Sequence, residues 1–103
     1  MSVTVIATMH ARDGLQEDVV RALAEVAGHF HAEEGCLKYT LHTSGRDRVI
    51  IVESWRDKES LAAHANGPHF AALNARLKEM LVGDPQIAFA RPVAAGDSMQ
   101  GTV

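Results

Sequence analysis

The sequence predicts one α+β domain with the element order β-α-β-β-α-β, and three observations carry that reading. Stretches rich in β-branched residues, most of them alternating in polarity, recur at residues 3–11, 36–43, 48–55 and 86–93. Segments with apolar residues at helical spacing separate the first stretch from the second and the third from the fourth. Between the middle two lies only "SGRD" (44–47), a turn that makes them a hairpin. This order folds as a ferredoxin-like split βαβ, a four-stranded antiparallel sheet with its helices on one face. Residues 1–94 make up the domain, and 95–103 read as a loose tail.

In the first strand, "VTVIATMHA", Val3, Val5, Ala7 and Met9 share one face, and Thr4, Ile6, Thr8 and His10 the other. Asp13 stands where a helix cap is needed. Gln16 follows three residues on in a capping-box position, and Glu17 and Asp18 suit the first turn. Leu15, Val19, Leu23, Val26 or Ala27, and Phe30 form the helix stripe, which Gly35 closes. Leu37, Tyr39 and Leu41 then oppose Lys38, Thr40 and His42. In "RVIIVESW" (48–55) both faces are apolar: Val49, Ile51 and Trp55 lie with Glu53 on one, Ile50 and Val52 on the other. Asp57 caps a short helix to about His64 or Ala65, and Asn66-Gly67 suits a left-handed turn. Pro68 opens a second piece, 68–82, that buries Phe70, Leu73, Leu77 and Met80 or Leu81 before Gly83 and Asp84-Pro85 stop it.

Composition narrows the function classes. A net charge of −3 and a pI near 6.0 leave no basic stripe for nucleic acid. No apolar run reaches the roughly 18 residues of a membrane span, and "MSVTVIATMH" lacks the pattern of a signal peptide. The single Cys36 rules out an internal disulfide and a cysteine-rich zinc site, and fits a reducing compartment. A cytoplasmic protein without nucleic-acid or membrane partners is expected. Helices can cover only one face of the sheet, so the doubly apolar strand 48–55 points to a homodimer with sheets packed face to face.

"LAAHANGPHF" (61–70) sets His64 and His69 on either side of an Asn66-Gly67-Pro68 break. His64 can cap a helix C-terminus, where a cation is favourable, or act as an acid or base. His69 can serve the backbone of its own first turn. A shared metal is disfavoured, because five residues across such a break do not give the i, i+4 spacing that aligns two imidazoles, and no third ligand is near. Glu53 lies on an apolar face, so its carboxylate must find a cation, Arg91 or Lys38, or take up a proton. Tyr39 and Trp55 suit a core with polar tips available to a ligand, and Cys36 a small buried hydrophobe. His10, His29, His31 and His42 read as solvated.

"EGCLKYTLH" followed by "VIIVESWRDKESLAAHANGPHF" resembles the antibiotic biosynthesis monooxygenase family of dimeric α/β barrels, which includes small bacterial quinol monooxygenases. The resemblance rests on Gly35-Cys36, Tyr39, Glu53-x-Trp55, a short helix ending at His64, and Pro68-His69-Phe70, and spans about residues 3–93. It implies cofactor-free oxygenation of an electron-rich phenol, quinol or anthrone-like ring, with no metal or flavin. His64 would be the base with Glu53 next in line, and Tyr39, Trp55, His69 and Phe70 would surround the substrate. Haem-degrading relatives carry an asparagine and a tryptophan where this chain has Ala7 and His64. Two other classes fit the same fold. An isomerase of a phosphorylated metabolite would need basic groups at the site, for which Lys38, Arg56 and Arg91 are the candidates, whereas a non-catalytic dimeric binder would need only the pocket.

Overall fold

The strands are β1 (Val3–His10), β2 (Cys36–Ser44), β3 (Arg48–Trp55) and β4 (Gln86–Ala90); the helices are α1 (Gln16–His31), α2 (Lys58–Ala65) and α3 (Pro68–Leu77). A computed structural model describes all 103 residues. The sheet has the order β2-β3-β1-β4 with every pair antiparallel, as the split βαβ requires. α1 and α3 pack against each other on one face, and α1 covers the β2–β3 half of the sheet. The core comprises Val19, Ala22, Leu23 and Phe30 of α1, Val49 and Ile51 of β3, and Leu73 and Leu77 of α3. The expected stripe of α1 is therefore the buried one.

Local chemistry departs from the sequence expectation at several places. Asp13 does not cap α1: Gly14 takes a left-handed conformation (φ 77°), and the cap position falls to Leu15, without a side-chain hydrogen bond. Gln16 closes no capping box either. Its Nε2 donates to the carbonyls of Gly45 (3.2 Å) and Arg48 (2.9 Å), tying the helix start to the β2–β3 turn. In β2, Cys36 pairs with Trp55 but Lys38 with Ser54, so Leu37 is an extra, bulged residue. Leu37 is consequently 54% exposed instead of lying in the core beside Tyr39.

Asp57 caps α2 as expected, its Oδ1 accepting from Ser60 N at 2.8 Å. The break after it is not left-handed: Asn66 has φ −96° and Gly67 φ −82°, the latter extended at the head of α3. Gly67 is favoured by space, since a Cβ there would sit 3.4 Å from the carbonyls of Ala63 and His64. α3 ends at Leu77 rather than 82, because Leu81 bridges back to Ala11 beyond the end of β1. β4 ends at Ala90, opposite Thr4, where β1 itself runs out, and residues 91–93 add no pairing. In the tail, Asp97 Oδ1 accepts from the amides of Met99 and Gln100 in a short turn.

On β3, Val49, Ile51, Glu53 and Trp55 face the helices and are buried. Ile50 and Val52 lie half-buried on the open face, where Val52 pairs with the partly exposed Ile6 of β1. No helix is long and apolar enough to cross a membrane.

Candidate active site

The helices leave the β1–β4 side of their own face uncovered, and a cavity of about 730 Å³ opens there. Val3, Val5, Ala7 and Met9 of β1 form its sheet wall, Leu61, Phe70, Leu73 and Leu77 its helical wall, and Ile87 and Phe89 of β4 its outer side. Phe89 is 69% exposed because only the open cavity faces it. Lys58, Asn74, Lys78 and Asp84 are exposed residues on the rim. Buried deeper are three polar side chains, Tyr39, Glu53 and His64.

His64 is the centre of this inner end. It comes from the last turn of α2 and is only 3% exposed. Its ring lies 4.6 Å from that of Trp55, with Phe30 (4.5 Å) and Phe70 (5.2 Å) edge-on. Nδ1 shares a 2.7 Å hydrogen bond with Glu33 Oε1, while Nε2 is 4.0 Å from Glu53 Oε1. Glu53 Oε1 in turn accepts from Trp55 Nε1 at 2.9 Å. Burial pushes the Glu53 carboxyl above the usual carboxylate range; the Trp55 hydrogen bond and the His64 charge oppose that shift, and Glu33 adds to it. Burial likewise raises the Tyr39 phenol, with the nearby carboxylates adding to the effect.

Of the residues expected at the site, His64, Glu53, Tyr39 and Phe70 line the cavity. Trp55 does not: it is wholly buried behind His64 and acts on the site by holding Glu53. His69 lies outside as well, exposed and stacked on His29 at 4.2 Å across the α1–α3 contact. Neither Arg91 nor Lys38 pairs with Glu53. Lys38 opposes Ser54, one position away from the Tyr39–Glu53 pair, and alternation sends it to the other face of the sheet. Arg91 lies past β4, with β1 between it and β3. Arg56 is held by Asp57 and Glu34, so the cations at the cavity are Lys58 and Lys78, not the three that the sequence suggested for an isomerase. His31 reaches the Tyr39 carbonyl (2.9 Å) and His10 reaches Asp47 (3.1 Å), so these two are engaged rather than merely solvated. No three His, Cys, Asp or Glu side chains converge as a metal site would require.

Glu33 is the site residue that sequence reasoning missed. "EEG" after a helix reads as a solvated end, and nothing local marks the first of the two glutamates as a partner of a residue 31 positions away. The connection is made by Gly35, whose left-handed backbone (φ 83°) lets the 32–35 loop lie against the first turn of α2. A Cβ on Gly35 would fall 2.0 Å from Ser60 Oγ, and Arg56 N donates to the Gly35 carbonyl at 2.7 Å.

The raised pKa of Glu53 gives a stability prediction. The native protein holds the Glu53 proton to higher pH than the unfolded chain does, so this residue's contribution to stability falls as pH rises from about 4.5 through the raised native value. Glu53→Gln, neutral at every pH, should flatten that decline and leave the variant more stable than the parent above the window. Urea unfolding between pH 4 and 9 measures it; a variant that tracks the parent's profile shows that Glu53 is not the group responsible.

The candidate site of this ferredoxin-like domain is thus an apolar cavity whose inner end holds one imidazole between the side chains of Glu33 and Glu53. The chain belongs to the antibiotic biosynthesis monooxygenase family, whose model matches residues 2–76. Among solved structures, PA3566 from Pseudomonas aeruginosa is 30% identical, with 90% of this chain and 95% of that one covered and a TM-score of 0.82. Rv0793 from Mycobacterium tuberculosis is 23% identical over 94% of this chain and 100% of its own, with a TM-score of 0.85. A conserved protein from Methanosarcina mazei Go1 is 22% identical over 88% and 92%, with a TM-score of 0.83. The last two likenesses are of fold. No curated protein matches the chain.

Proposed function

We propose that the protein is a cofactor-independent monooxygenase of a small electron-rich aromatic, a quinol, phenol or anthrone-like ring. The observation that supports this most directly is the buried His64, the one imidazole on the wall of an otherwise largely apolar cavity. An imidazole nitrogen with a free lone pair can take a weakly acidic phenolic or benzylic proton. The resulting carbanion or phenolate delivers an electron to dioxygen, and recombination forms a carbon–oxygen bond to a peroxide. Loss of water from that peroxide breaks the O–O bond, so one oxygen atom remains on the ring carbon and the other leaves as water. For an anthrone, CH2 plus O2 gives C=O plus H2O, and the substrate supplies all four electrons. Apolar walls keep water from the intermediate, and a protonated Glu53 carboxyl, the form that burial favours, would be a donor to the developing oxyanion. Family membership supports the monooxygenase class, and the cavity volume suits a ring of this size.

The test is a panel of quinols and anthrones incubated with and without oxygen. Oxygen uptake with product formed only aerobically is expected. Product formed without oxygen would show an isomerase, and binding without turnover a carrier.

The same reading places the protein in the cytoplasm as a homodimer, its open sheet face packed on a second copy through Ile6, Ile50 and Val52. Val52→Arg would set a charge in that apolar interface, and sedimentation should then show a folded monomer where the parent is a dimer. A parent chain that is monomeric at micromolar concentration overturns the arrangement.

A further inference from the structure

We propose that Glu33 is a positioning residue: its carboxylate fixes the His64 imidazole as the Nδ1–H tautomer and leaves Nε2 as the proton acceptor at the inner end of the cavity. The proposal deepens the reading of His64 as the base and rests on it for its catalytic consequence.

A neutral imidazole has one N–H and one lone pair, whereas a carboxylate can only accept. At 2.7 Å, Glu33 Oε1 and His64 Nδ1 cannot both present lone pairs, so the proton of the neutral ring lies on Nδ1. Nε2 then carries the lone pair. The carboxyl oxygen facing it, Glu53 Oε1, stands at 4.0 Å, beyond hydrogen-bond reach, and is already engaged by the Trp55 indole. The lone pair is therefore left for a ligand. In the other tautomer Nε2 would carry the hydrogen, and the ring could not accept a proton from the cavity side.

The loop that carries Glu33 is tied to α2 and the residues before it by contacts that do not involve His64. The Arg56 amide donates to the Gly35 carbonyl at 2.7 Å, and the Arg56 guanidinium reaches Glu34 Oε1 (3.4 Å) and Ser60 Oγ (3.3 Å). With Gly35 seated against Ser60, these fix the loop that carries Glu33 to the helix that carries His64. The ring is clamped on its other sides by Trp55, Phe30 and Phe70. Such an outer carboxylate that sets the tautomer of a catalytic imidazole is worth up to about 10,000-fold in turnover where it has been removed from a serine-protease triad.

The test uses the full-length chain labelled with 15N. Long-range proton–nitrogen NMR at alkaline pH reports which nitrogen of neutral His64 is protonated, with no substrate needed. Nδ1 protonated and Nε2 bare is expected in the parent. Nε2 protonated in the parent overturns the proposal by itself, whether or not any variant folds. In Glu33→Leu the Nε2–H form should become populated. With a substrate found by the oxygen panel, kcat should fall at least about tenfold, KM should change little, and the loss should vanish in a His64→Gln background. A Glu33→Leu protein that unfolds more easily but keeps both tautomer and kcat shows a merely structural glutamate and refutes the positioning role. Finding the expected tautomers with no oxygenase activity would instead refute the proposed reaction and leave the role of Glu33 intact.

Discussion

Replacing His64 with alanine is expected to lower turnover about 100- to 10,000-fold, the usual range for loss of a general base. The substitution also has a structural cost, because the ring is almost fully buried among Trp55, Phe30 and Phe70. Truncation leaves a void and deprives Glu33 of its partner, and large-to-small changes of this kind cost roughly 2–5 kcal/mol. His64→Gln separates the two effects: it keeps much of the volume and an amide able to hydrogen-bond to Glu33, yet it cannot take a proton near neutral pH. The glutamine variant should thus unfold close to the parent's midpoint and be as inactive as the alanine variant. Oxygen uptake beside thermal unfolding reads both. If either variant retains nearly full kcat, the base lies elsewhere, with Glu53 next in line, or the substrate ionises unaided in the cavity.

Gly35→Ala is expected to be strongly destabilising. Two penalties coincide at this position. A left-handed φ of 83° strains any residue with a Cβ, and that Cβ would lie 2.0 Å from Ser60 Oγ and 2.4 Å from Ser60 Cβ. Backbone strain of about 1–3 kcal/mol and overpacking of about 1–3 kcal/mol together give roughly 2–6 kcal/mol. Relief by separating the loop from α2 would draw Glu33 away from His64, so activity should fall along with stability. Gly45→Ala is the control, since Gly45 is also left-handed (φ 61°) but a Cβ there meets nothing within 4 Å. It should lose only the backbone part, about 1–2 kcal/mol. Denaturant unfolding of the two variants side by side isolates the contact with Ser60; equal losses would mean that the loop does not bear on α2.

The fold was legible because patterning acts over whole elements. Alternation on 3–11, the doubly apolar run 48–55, the stripe from Leu15 to Phe30, and the Asp57 cap each correspond to an element in the structure. What sequence could not reveal depends on backbone detail or on residues far apart. Whether Asp13 caps a helix is decided by the conformation of Gly14, and whether Leu37 is core or surface by a one-residue bulge against Trp55 and Ser54. Of the residues lining the cavity, His64, Glu53, Tyr39 and Phe70 are marked in the sequence by burial on an apolar face or by a family motif. Trp55 carries the same kind of mark but is screened from the cavity by the histidine it supports, and His69 points to the far side of α3, against His29. Glu33 was out of reach, as its role exists only once the loop after α1 folds against α2.

In the proposed reaction the chain itself, through His64, lets a bound aromatic anion react with dioxygen and keep one of its atoms. An oxygen-electrode trace on chelator-treated protein with an active substrate, ending with an addition of catalase, tests it most directly. One molecule of oxygen consumed per molecule of product, no oxygen returned by catalase, and no uptake by His64→Gln is the expected result. No oxygen consumption, or the return of half the oxygen as peroxide is dismuted, would contradict it, the second outcome marking an oxidase that leaves its substrate unoxygenated.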